Sequence, residues 1–179
     1  MQEWNVIVSV NERGFKRAFE VLEEFGTVKK TDFYNVLLMK VDHMKQFLET
    51  LRNRTLQEPG YLYFLSRLIP VTRAFIFRSP EEFEMKARDI VLTWAPELAG
   101  KSFHVRMRRR GFKGRLSSLD EEHFLDHILL KSLEADGKPG RITFEDPDAI
   151  IAVETVAQWA GLSLWKRNDL QQYPFIKLN

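Results

Sequence analysis

The chain has 179 residues, with 27 basic and 25 acidic side chains and a formal net charge of only +2, so overall charge points to no partner. Hydrophobic residues make up 44% and charged residues 29%, enough apolar material for one large or two small cores and too much for a disordered chain. Cysteine is absent, which excludes disulfides, thiolate metal centres and thiol nucleophiles and suits a reducing cytoplasm.

Residues 3–10 read as a strand, and residues 12–25 as an amphipathic helix with Phe15, Ala18, Phe19, Leu22 and Phe25 on one face and Gly26 as its stop. Two strands follow, at 27–31 and 33–41, joined near Asp32. Asp42 is the expected N-cap of a second helix over about 43–52 that carries Met44, Phe47, Leu48 and Leu51, with 53–60 as a connection. Strand-like segments lie at Leu68–Ile69 and Ala74–Phe77, with Pro70 as the seam between two modules. The order β-α-β-β-α-β predicts a ferredoxin-like sandwich over residues 1–70.

The second module begins at Ser79-Pro80-Glu81-Glu82, a helix start with Ser as cap and Pro at the first helical position. This helix turns Phe83, Ala87, Ile90, Val91 and Trp94 inward. Gly100 precedes a strand in which Phe103, Val105 and Met107 share one face and His104, Arg106, Arg108 and Arg110 share the other. Residues 101–115 hold seven Lys and Arg and no acid, so the rest of the chain sums to −5 and the positive charge is concentrated here. A row of guanidinium groups followed by a Gly-punctuated loop with Lys113 and Arg115 suits a phosphate backbone. Ser117 or Ser118 caps a further helix that runs to about Leu133. Residues 137–140 form a turn, 141–144 a short strand, and Asp146-Pro147-Asp148 turns the chain into a strand over 149–156. Residues 160–165 are its partner, with Gly161 at or near the reversal. Lys166 and Arg167 add two charges, and a short helix is expected before Pro174. No apolar run reaches membrane-span length, and the N-terminus lacks the basic start of a signal peptide; a cytoplasmic protein with no membrane partner is expected.

Three segments carry a resemblance: the basic strand at 100–111, the capped helix at 117–133, and the run 144–154 with its Asp-Pro-Asp turn into a strand. Together they resemble the THUMP domain over roughly residues 70–167, and Arg67-Leu68-Ile69-Pro70-Val71 resembles the joint that precedes THUMP in tRNA acetylation adaptors. The resemblance implies an α+β chain with a ferredoxin-like domain at 1–70 and an α/β THUMP domain at 71–179. It implies tRNA as partner, gripped at the acceptor stem and single-stranded 3′ end. It also implies a non-catalytic role, since neither a Gly-rich nucleotide loop nor a His-Cys-Cys zinc signature is present. A tRNA-modifying enzyme acting in trans would then be the second partner, and no cofactor or metal is expected.

With that resemblance, the residues expected to meet RNA are Lys101, Arg106, Arg108, Arg110, Lys113, Arg115, Lys166 and Arg167, with Phe112 stacking on an unpaired base. Trp94 reads as core, whereas Trp159 and Trp165 fit either core or stacking. Two alternatives remain: a metal-dependent RNA-processing enzyme using His123, His127 and nearby carboxylates, and an interaction module whose basic strand meets an acidic protein.

Overall fold

The first part of the computed structural model, which describes residues 3–178, contains β1 (Val6–Val10), α1 (Phe15–Leu22), β2 (Thr27–Lys30), β3 (Val36–Lys40), α2 (Met44–Gln57) and β4 (Leu65–Pro70). Their antiparallel sheet has the order β2-β3-β1-β4, the ferredoxin-like arrangement expected. β1 is central, so Val6, Ile7 and Val8 are all buried and these three residues are apolar without alternation. The helix α2 is longer than expected, because nothing between Asn53 and Gln57 stops it before Pro59-Gly60. Its N-cap is His43 without a side-chain bond, not Asp42.

The chain divides into two compact units, one reaching Val71 and including the segment from Leu170 onward, the other spanning Thr72–Asp169. The tail, expected with the second domain, therefore belongs to the first. The reason is burial: Tyr173, Ile176 and Leu178 are enclosed, and Tyr173 Oη and Gln172 Nε2 each donate to Glu49 Oε1 at 2.7 Å.

The second unit holds β5 (Arg73–Ile76), α3 (Pro80–Thr93), α4 (Ala95–Leu98), β6 (Ser102–Arg108), α5 (Ser118–Ala135), β7 (Arg141–Ile142), β8 (Ala149–Val156) and β9 (Trp159–Lys166). A short α6 (Arg167–Gln172) follows across the boundary. The sheet order is β5-β9-β8-β6-β7, with β6 parallel to both neighbours and the other pairings antiparallel. One core contains Phe77, Phe83, Val91, Leu98, Phe103, Val105, Leu125, Leu129, Ile151 and Leu162. Both caps form as the sequence implies: Ser79 Oγ accepts from Glu82 N at 3.1 Å, and Ser117 Oγ from Asp120 N at 3.2 Å. The reversal between β8 and β9 lies at Ala157-Gln158, with Ala157 at φ 53°, and not at Gly161. Gly161 is a paired strand residue opposite both Glu154 and Ala74. The mixed α+β class, with a ferredoxin-like unit first and an α/β unit second, is the architecture observed.

Candidate nucleic-acid interface

The alternation in β6 does what alternation predicts on one side. Phe103, Val105 and Met107 enter the core beneath the helices. On the opposite face Arg106 and Arg108 are exposed, whereas His104 is buried. β7 pairs with only Ser102 and Phe103, so the outer edge of β6 beyond them lacks a strand partner. The helix α5 supplies acceptors instead. Asp126 Oδ1 accepts from Val105 N and Glu122 Oε2 from Met107 N, both at 2.9 Å. Four helical residues advance ~6 Å and two strand residues ~6.6 Å, so carboxylates at i and i+4 match successive free N–H groups along the edge. This contact covers the free edge of the basic strand while its two arginines face solvent.

Arg106 and Arg108 form no ion pair or hydrogen bond with another described residue. Lys101 and Lys113 are also exposed. Arg115 is exposed with its guanidinium stacked 4.7 Å from the centroid of the Phe112 ring. These five, together with Lys166, are the exposed cations of the predicted set.

Three further residues depart from the prediction. Arg110 turns inward: its Nη1 donates to Glu154 Oε2 at 2.7 Å, and the side chains are 10% and 1% exposed. β6 ends at Arg108, so strand alternation no longer directs Arg110 outward. Its backbone is drawn into the β8–β9 turn, with Arg110 N donating to Thr155 Oγ1 and Arg110 O accepting from Ala157 N. Phe112 is no free stacking surface. At φ 55° its ring is directed onto Phe77, with centroids 4.9 Å apart, and Arg115 lies over it, so it anchors the loop to the core. Arg167 is committed to the Asp-Pro-Asp turn, bonding Asp146 Oδ1 at 2.8 Å, Asp146 O at 2.7 Å and Asp148 Oδ1 at 3.1 Å. Lys166 pairs with Glu97 at 3.2 Å, but both are about half exposed, and such pairs contribute little and exchange readily.

The same turn is tied to the start of β6. Asp148 Oδ2 accepts from both the N–H and the hydroxyl of Ser102, and the Ser102 N–H is the main reason its carboxyl titrates below the usual range. Gly140 is needed beside it, because a Cβ there would meet the Phe103 ring at 2.9 Å and the Lys101 carbonyl at 3.0 Å. The tryptophans resolve toward packing. Trp159 and Trp165 are buried, with Trp165 Nε1 donating to Ser163 Oγ, and Trp94 packs partly buried on the core. His123 and His127 are exposed on α5, while Asp126 between them faces Val105. Among the described residues no three His, Asp or Glu side chains converge on a metal position. Likewise no helix is long and apolar enough to cross a membrane.

One exposed group on the basic face was not singled out from sequence. Phe144 is 67% exposed and its ring lies 5.2 Å from that of His104. Nothing local marks it, since it follows the two-residue β7 and precedes a turn; only the fold brings it against His104, on the side of β6 that carries the arginines.

No family model and no curated protein matches the chain. Solved structures do share its fold. PH1313 from Pyrococcus horikoshii Ot3 is 17% identical over 92% of this chain and 55% of that one, with a TM-score of 0.57. TrmN from Thermus thermophilus is 18% identical over 90% of this chain and 44% of that one, at 0.57. A 4-thiouridine synthetase, solved as an RNA complex with bound ATP, is 14% identical over 92% of this chain and 42% of that one, at 0.53. The chain thus spans about half of these proteins or less, and at such identities the likeness is one of fold.

Proposed function

We propose that this chain binds tRNA, gripping the acceptor stem and 3′ end through β6 and its following loop, and presents it to a modifying enzyme in trans. The observation that carries the reading is Arg106 and Arg108 two positions apart on one face of an edge-capped strand, exposed and without an ion pair or hydrogen bond to another described residue. Guanidinium groups so placed are suited to phosphate oxygens, and Lys101, Lys113 and Arg115 extend the positive surface. Double-helical RNA hides its base edges in a deep groove, so contact is by shape, phosphate and 2′-hydroxyl, with stacking at the free end. The fold shared with an RNA-bound 4-thiouridine synthetase supports RNA as the polyanion.

A binding role rather than a catalytic one is supported by what the polar side chains are engaged in. Ser117 caps α5, Asp146 and Asp148 hold a turn, and Glu122 and Asp126 cover a strand edge. A cytoplasmic setting fits a chain without cysteine.

Gel mobility with tRNA, intact and lacking its 3′ terminal nucleotides, tests this reading. Arg106→Ala with Arg108→Ala is expected to weaken binding at least tenfold and to flatten the salt dependence by about two phosphates. Unchanged affinity in that variant removes the strand from the site. Displacement of RNA by polyglutamate at equal charge would favour an acidic protein partner instead.

A further inference from the structure

Phe144 stands 67% exposed on a fixed turn, one side of its ring against His104 and the rest in solvent. The backbone before it is tied to β6 by Thr143 N donating to Phe103 O at 3.1 Å. The backbone after it is tied by Asp148 to Ser102 and by Arg167 to Asp146. An apolar ring of this size usually gains by burial. Here it is held in solvent at the face that carries Arg106 and Arg108.

Its support is His104, the residue two before Arg106 on the same side of β6. His104 is 2% exposed, and burial, the largest influence on it, lowers its basicity. Nδ1 lies 3.4 Å from the Val105 carbonyl, which makes Nδ1 the protonated nitrogen. Nε2 is then an acceptor, and it has no hydrogen-bond partner among the described residues. The exposed Phe144 ring therefore rests on a buried imidazole that lies on the side of β6 carrying the arginine row.

We infer that Phe144, backed by His104, stacks one unpaired nucleobase of an RNA whose phosphates lie on Arg106 and Arg108 further along the same side of β6. The inference rests on the RNA-binding reading above and assigns the stacking position to Phe144, not to Phe112. Aromatic rings stack on any base, so the contact selects an unpaired nucleotide rather than a sequence.

The test uses the full chain with two RNA hairpins of the same stem, one blunt and one with a short 3′ extension carrying 2-aminopurine. Phe144→Ala is expected to weaken the extended hairpin about tenfold or more and to leave the blunt one and the salt slope unchanged. Phe144→Trp should retain affinity, and quenching of the 2-aminopurine emission should accompany wild-type binding and vanish in Phe144→Ala. If Phe144→Ala binds the extended hairpin like wild type, or weakens both hairpins equally, the stacking inference is overturned. In either case loss of binding in the Arg106/Arg108 double variant leaves the RNA reading standing. If wild type binds neither hairpin, both readings fall.

Discussion

Arg106 and Arg110 differ by four positions and have opposite fates. Arg106 lies within the paired span of β6, opposite Ala152, and projects outward; Arg110 lies past its end and closes on Glu154. Breaking a buried pair strands a charge in low dielectric, which is far worse than losing an exposed cation. Arg110→Ala is therefore expected to destabilise the second unit by about 3 kcal/mol in urea unfolding. Arg106→Ala should leave unfolding almost unchanged and lower RNA affinity. Equal stability for the two variants would contradict the burial of the Arg110–Glu154 pair. The sequence could not separate them, because the basic run continues through Arg108-Arg109-Arg110 and the strand end is set by pairing with β8, which lies forty residues further on.

At the level of elements, α5 carries two acids that the fold keeps protonated beyond their ordinary range. Burial pushes Asp126 up to about 7, with Glu122 adding repulsion against the opposing hydrogen bond from Val105. Burial likewise pushes Glu121 up to about 8, helped by its hydrogen bond with Glu84 on α3. The unfolded chain releases these protons near pH 4, the folded chain only at about 7 to 8. Between those limits the folded state binds more protons, so stability falls as pH rises through the window. The melting temperature is expected to be higher at pH 5.5 than at pH 8.5, and Glu121→Gln with Asp126→Asn should flatten the profile; a flat wild-type profile would refute the assignment. At α3, Ser79→Ala removes the acceptor for Glu82 N and should cost about 1 kcal/mol in chemical denaturation. These caps were legible from four consecutive residues because capping is local. The length of α2 was not, since helix propensity carried it through Asn53–Gln57 without a stop signal.

For the whole molecule, the concentration of charge is the quantity that matters. Residues 1–70 hold ten basic and nine acidic side chains, close to balance, whereas 101–115 carry seven cations and no acid. With Arg110 withdrawn and Arg109 bonded to Gly111 O of its own loop, five of these remain exposed. If all five meet phosphates, log affinity for tRNA should fall against log salt with a slope of roughly −3 to −5. A slope near zero would exclude the phosphate contacts. The tail makes a separate prediction. Removing residues 170–179 uncovers the positions filled by Tyr173, Ile176 and Leu178 and should lower the unfolding midpoint of the first unit.

By itself the sequence determined the order of elements apart from the short α4, the two helix caps and the alternating strand with its basic face, because periodicity, capping and charge runs are written in neighbouring residues. Tertiary structure alone decided which cations stay exposed, where β8 turns into β9, which unit holds the tail, and that Phe144 stands exposed on His104. Those outcomes depend on contacts between residues tens of positions apart, whose partners no local pattern specifies.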